Sequence, residues 1–185
     1  MKELPTIRHW EPLEAEREGG RLYPVVDRAF RSPPHTGAEP RDLFLANWKR
    51  QARREGFRLL TIEEPGARVV GFLYGYRGSP GTWWFDTVSA AVSEEVRKRW
   101  LADAFEIVSM AIDPVFQGRG WGTSLLRECL AVVPHRTAVL STHREANPAV
   151  RLYLREGFRI IHDGLVLSAG GPPFVVMARG ISSSP

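Results

Sequence analysis

The sequence predicts a single α/β domain over residues 1–180, with 181–185 as a disordered tail. Three observations carry that prediction. Short runs rich in β-branched and aromatic residues alternate with longer segments whose apolar positions recur at helical spacing. The chain has 185 residues, 43% of them hydrophobic, which suffices for one real core and is too little for two ordinary domains. A glycine-punctuated junction at 117–122 joins a strand directly to a helix.

Taken in order, the alternation over 6–10 reads as a first strand, and 13–30 carries Leu22, Val25, Val26 and Phe30 at near-helical spacing. Ser32, Pro33 and Pro34 force a break. Residues 41–56 read as a helix, with Leu43, Phe44, Trp48 and Ala52 on one stripe and Gly56 as its C-terminal cap. Strands at 57–63 and 68–76 are joined by Glu64-Pro65-Gly66-Ala67, a hairpin signal because proline presets φ and glycine accepts positive φ. Residues 83–100 read as a helical insertion. A strand at 106–112 stops at Asp113-Pro114, and an amphipathic helix covers 120–133. A short buried strand at 138–142, a helix at 147–156 capped by Gly157, and strands at 158–162 and 174–178 complete the chain. The stretch 164–173 is expected to be a flexible loop.

Composition excludes several classes of function. No apolar run resembles a signal-peptide core or approaches the roughly 20 residues that span a bilayer, so a cytoplasmic protein without a membrane partner is expected. One cysteine, Cys129, excludes an internal disulfide framework and a cysteine metal cage, and no metal is expected. Its neighbours Leu125, Leu126, Leu130 and Val133 favour core packing over a nucleophilic role. The net charge of +4 comes from 22 Arg and 3 Lys against 21 acidic residues, spread along the chain with no basic block, so no nucleic-acid partner is expected.

The segment that carries chemistry is EIVSMAIDPVFQGRGWGTSLL, residues 106–126. Gly118, Gly120 and Gly122 remove side chains where the chain must turn sharply from strand to helix, so that backbone N–H groups can converge on one point. The free N–H groups and the positive dipole end of the following helix suit that point to a pyrophosphate. The bland alternative is a tight turn whose glycines serve packing alone. A P-loop is excluded because no lysine follows Lys98, and a dinucleotide fingerprint is excluded because Thr123 stands where GxGxxG needs glycine.

Gln117-Gly118-Arg119-Gly120-Trp121-Gly122 matches the signature [QR]xxGx[GA], after a strand ending in Ile-Asp-Pro and before a leucine-rich helix. Downstream, Asn147, Ala149 or Val150, Tyr153, Gly157 and Phe158 fit the pattern Asn-x-x-Ala-x-x-x-Tyr-x-x-x-Gly-Phe. On these residues the chain resembles the GNAT (GCN5-related N-acetyltransferase) superfamily, over roughly 57–162. The resemblance implies a mixed central sheet of six to seven strands flanked by helices, here with the helical insertion before the cofactor-binding strand. It implies acetyl-CoA as cosubstrate, with Met110 and Ile112 offering backbone groups to the pantetheine arm. Gln117, Gly118, Arg119, Gly120, Trp121, Gly122 and Thr123 would form the pyrophosphate turn, and Asn147 would contact the pantetheine region. Tyr153 would be the acid that protonates the departing thiolate, and the Met110 N–H would stabilise the oxyanion.

Glu106 stands where lysine-acetylating members carry a glutamate, eleven residues before the signature glutamine. It would serve as the base for an ammonium acceptor; the alternative is an exposed carboxylate on a strand edge. His143 reads as a surface histidine, with a base role as its rival. Asp86 with Trp83, Trp84 and Phe85 suits either a cationic acceptor's pocket or a core helix. The expected function is therefore transfer of acetyl from acetyl-CoA to a primary amine of a small molecule or protein, by direct attack in a ternary complex. A homodimer is compatible with this. The rival class is a non-catalytic acyl-CoA sensor or scaffold, which needs the glycine loop but neither Glu106 nor Tyr153.

Overall fold

A computed structural model of the chain describes residues 5–31, 35, 37–145 and 148–181. The described strands are β1 (Thr6–Trp10), β2 (Arg58–Glu64), β3 (Arg68–Arg77), β4 (Ala104–Ile112), β5 (Thr137–His143), β6 (Arg159–Val166) and β7 (Pro173–Gly180). The helices are α1 (Pro12–Ala15), α2 (Gly19–Ala29), α3 (Arg41–Ala52), α4 (Trp83–Ala91), α5 (Glu94–Trp100), α6 (Trp121–Val132) and α7 (Pro148–Arg155). The strands form a seven-stranded sheet in the order β1-β2-β3-β4-β5-β7-β6. The pairs β1/β2, β2/β3, β5/β7 and β6/β7 are antiparallel and β4/β5 is parallel, so the sheet is mixed, as expected. No helix among the described residues is long and apolar enough to cross a membrane.

The chain falls into two compact units, Met1–Tyr76 with Val108–Val132 and Arg77–Ile107 with Val133–Pro185. In the first, Leu22, Val25 and Val26 of α2 and Phe44, Trp48 and Ala52 of α3 share a core with Leu59, Phe72 and Tyr74 of β2 and β3. Trp48 stands edge-on to Phe57 and Tyr74, with ring centroids 5.6 and 5.0 Å away, and its indole N–H donates to the Ala15 and Glu16 carbonyls. Helix α6 lies on β2 and buries Leu125, Leu126, Cys129 and Leu130; each leucine so buried contributes about 1.5–3 kcal/mol. In the second unit α4 packs on β6, and α5 on β5 and β7. Their core joins Phe85, Val88, Trp100 and Leu101 to Val139, Val176 and Ala178.

Four expectations are corrected. The helix expected over 41–56 ends at Ala52, because Phe57 enters the core and the chain turns before it, with Gly56 at φ 71° and the Phe57 N–H on the Arg54 carbonyl. The insertion 83–100 is two helices, because Val92 is extended and the Ser93 hydroxyl accepts the Val96 N–H, starting a new helix. Strand β6 runs on to Val166, so the loop expected over 164–173 shrinks to 167–172. Gly164 at φ 84° absorbs the second of two register shifts that keep β6 paired with β7. Ile181, assigned to the disordered tail, donates its N–H to the Arg136 carbonyl at 2.8 Å. The break at 32–34, the expected ligand Asn147 and the tail residues 182–185 lie outside the described residues.

Candidate functional site

In the first unit, the end of β4 leads into a bracketed turn. Asp113 is 2% exposed. Its Oδ2 accepts from Arg28 Nε at 2.8 Å and from Arg68 Nη2 at 3.5 Å, its Oδ1 accepts the Val115 N–H, and its own N–H donates to the Val70 carbonyl. Two cations and a capped 3-10 turn thus pin the backbone as the strand ends. Gln117 reaches back, its Nε2 donating to the Ile112 carbonyl at 3.0 Å. Arg119 donates to the Val115 carbonyl, and its guanidinium lies 5.3 Å from the Phe116 ring centroid. Two residues expected to bind cofactor therefore also hold the turn in shape.

The glycines separate by role. Gly118 and Gly120 have φ of 74° and 85°, a region that disfavours side chains. A Cβ placed on either would meet no protein atom within 4 Å. The explanation by packing alone therefore fails at both: the turn is shaped by backbone conformation and leaves open space beside it. Gly122 is different, lying in the first turn of α6. The Ser124 N–H donates to the Gly120 carbonyl at 3.0 Å as the first α6 bond. The N–H groups of Trp121, Gly122 and Thr123 precede it and have no intrahelical acceptor. Three donors at the positive end of a twelve-residue helix, with no side chains on the glycines at 118 and 120, have the arrangement that an anion site requires. Met110 and Ile112 are half-buried on β4, two and four residues beyond Val108 on the same strand face.

The second unit carries the proton-handling candidates. Glu106 is 3% exposed, which overturns its reading as an exposed edge carboxylate. It faces Val139 in the last registered pair of the β4/β5 ladder. Tyr153, on α7, is buried beside Phe158 with ring centroids 5.5 Å apart. Burial pushes its hydroxyl well above the usual phenol range. His143 ends β5 with its ring 4.5 Å from that of Phe174, so it is a strand residue and not a loop histidine; desolvation holds its pKa below the ordinary value, against the opposing pull of Glu145. In the first unit, Cys129 is buried and its thiol is pushed up to about 12 by desolvation, so it is no ready nucleophile.

The α4 cluster divides: Asp86 and Phe85 are structural, Trp84 is partly buried against β5, and Trp83 is exposed. Both Asp86 oxygens accept the Gly81 N–H, at 3.0 and 3.1 Å, Phe85 is core, and Trp84 Nε1 donates to Ser141 Oγ at 2.9 Å. Sequence reasoning missed three contributors: Asp113 as the clasp of the turn, Arg28 as its partner, and Ser141. Asp before Pro at a helical start was a legible signal for the first; the others depend on partners 85 and 57 residues away.

The family described as Acetyltransferase (GNAT) family matches residues 21–158. The GCN5-like protein acetyltransferase Rv2170 of Mycobacterium tuberculosis is 28% identical over 197 residues, covering 91% of this chain and 94% of that protein. Among solved structures, the ribosomal-protein-S18-alanine N-acetyltransferase from Escherichia coli is similar with a TM-score of 0.64 at 18% identity, over 98% of this chain and 97% of that one. Ard1 from Thermoplasma volcanium gives a TM-score of 0.66 at 17% identity, over 98% of this chain and 100% of that one. At such identities the structural likeness speaks for the fold.

Proposed function

The chain belongs to the acetyltransferase (GNAT) family and is an acyltransferase, and from that premise we propose that it moves an acetyl group from acetyl-CoA to a primary amine by direct attack in a ternary complex. The observation that carries this reading is the Gly118–Gly120 turn, left-handed and open beside the α6 amides. The pyrophosphate sits on those amides. The peptide groups of Met110 and Ile112, beyond the last registered β4/β5 pair, serve the pantetheine arm and the thioester oxygen, and Asn147 binds the same arm.

In the chemical step Glu106 takes a proton from the acceptor ammonium. The nitrogen forms its bond to the acyl carbon, the carbon–sulfur bond breaks, Tyr153 donates its phenolic proton to the sulfur, and the surplus proton on the new amide nitrogen restores the phenol as amide and free thiol leave. Burial of Tyr153 keeps that proton in place until the thiolate develops. The inert Cys129 supports direct attack over an acyl-cysteine intermediate. Because Rv2170 is described as a protein acetyltransferase and the Escherichia coli protein as acting on a ribosomal-protein alanine, peptide amines belong beside small amines in any acceptor screen.

Calorimetry with acetyl-CoA tests the binding half. A β-branched residue cannot hold φ near 85°, so Gly120→Val is expected to weaken binding by about 3 kcal/mol, on the order of a hundredfold. Parent-like affinity in a folded Gly120→Val would place acetyl-CoA elsewhere. A mass-spectrometric amine screen tests the other half: a parent that binds acetyl-CoA yet acetylates nothing would favour the sensor reading.

A further inference from the structure

The registers of the second unit put Glu106 of β4, Val139, Ser141 and His143 of β5, and Ala178, Val176 and Phe174 of β7 on one face of the sheet, since paired residues point to the same side. This is the face on which Val139, Val176 and Ala178 pack with Phe85 and Val88 of α4. Toward the carboxyl ends of the parallel strands the packing loosens: Thr137 to Leu140 are buried, whereas Ser141, Thr142 and His143 are only half-buried. Ligands of open α/β sheets bind at such ends.

We propose that Ser141 and His143, backed by Trp84 and Phe174, recognise the acceptor, and that the acceptor they fit is a monoamine borne on an apolar or aromatic carbon frame. This rests on the amine-acetylation reading above and narrows its substrate. The Trp84 indole and the His143 and Phe174 rings, tilted 31° to each other, offer flat surfaces for such a frame. Ser141 accepts from Trp84 and keeps its own proton to donate to one polar group of the acceptor. Desolvated His143 favours its neutral form, and so suits an uncharged neighbour better than an anionic one.

A polyamine fits poorly, because each further ammonium needs its own carboxylate when it leaves water. Among the described residues registered on this face of β4, β5, β6 and β7, Glu106 is the one carboxylate. Off the strands, Asp86 of α4 has both oxygens on the Gly81 N–H, and Glu145, whose charge acts on His143, is exposed to water.

The test is steady-state kinetics of the full chain with saturating acetyl-CoA, comparing 2-phenylethylamine, hexylamine, a peptide with N-terminal phenylalanine, putrescine and spermidine. The parent is expected to favour the best apolar monoamine over spermidine by about tenfold or more in kcat/KM. His143→Ala and Trp84→Phe, the latter keeping apolar bulk for folding, should raise KM for that amine about tenfold. Acetyl-CoA affinity should stay unchanged, and the KM for putrescine should move far less. Preference for spermidine, or an equal loss with every amine in both folded variants, overturns the inference while leaving amine acetylation standing. Acetyl-CoA binding without acetylation of any amine overturns both.

Discussion

Glu106 and Tyr153 are both buried, and burial acts oppositely on their usefulness. A general base must be ionised to accept a proton, so the Glu106 reading makes the rate rise with pH as its carboxyl deprotonates. Glu106→Gln keeps shape and removes the base. It should lower kcat by about 10²–10⁴-fold with little change in acetyl-CoA affinity, and flatten the acidic limb between pH 6 and 10. An unchanged limb would hand the role to water or to His143. Tyr153 must be protonated, and desolvation raises its pKa from an ordinary value of 10.0, so it holds its proton throughout that window. Tyr153→Phe should therefore slow turnover at every pH without moving either limb, and a basic limb that vanished in this variant would contradict the assignment. Cys129, at about 12 and buried, should resist iodoacetamide at pH 8 in the native protein and react readily in denaturant. Fast labelling of the native protein would reopen a covalent mechanism.

Elements were more legible than side-chain roles. The β2/β3 hairpin was written in Glu64-Pro65-Gly66-Ala67, and Gly66 takes φ 89° as expected, yet Ala67 follows at φ 62°. A left-handed alanine costs about 1–2 kcal/mol, while a glycine there loses about 0.4–1 kcal/mol through unfolded-chain entropy. Ala67→Gly should thus stabilise by about 0.5–1 kcal/mol, raising Tm by roughly 1–3 °C. Arg21 bonds the Ala67 carbonyl, which the change leaves in place, so a lower Tm in calorimetry would show that the alanine methyl contributes packing. All seven strands were foreseen because their β-branched runs are bounded by turn residues. What escaped was settled by competition between levels: Ser93 capping a second helix inside a continuous apolar pattern, Phe57 drawing the chain out of α3 early, and bulges letting β6 outlast its apolar run. At the site, the glycine turn was legible because left-handed backbone leaves a residue-type signature. The Arg28–Asp113 clasp and the Trp84–Ser141 bond were not, since pairs distant in sequence leave none.

At the scale of the molecule, each compact unit has its own core, yet neither is a continuous stretch of chain, and β4 contributes residues to both. We therefore propose that 1–180 unfolds as one domain, and urea transitions followed by circular dichroism and tryptophan fluorescence should coincide. The pH dependence of that stability has a definite sign on the alkaline side. The Cys129 thiol titrates near 9.0 when exposed and is pushed to about 12 in the fold. Between these values the unfolded chain releases a proton that the folded chain keeps, so stability is whole below pH 9 and falls as pH rises toward 12. At pH 10.5 this amounts to about 2 kcal/mol, at 1.36 kcal/mol per unit. Tyr153, shifted upward in the same direction, adds a smaller loss that begins near pH 10. On the acid side the sign reverses. Asp103 is lowered chiefly by the hydrogen bond from His135, against desolvation, so its contribution is present above the ordinary carboxylate range and fades as pH falls through its folded value. Cys129→Ala should be less stable than the parent at pH 8, because it leaves a small void under α6. It should nevertheless lose about 2 kcal/mol less than the parent on going from pH 8 to 10.5. Comparing each protein with itself removes the void from the difference. Equal alkaline losses in the two proteins would mean that the thiol ionises in the folded state, which would contradict its burial under α6 and make its labelling resistance a matter of access alone.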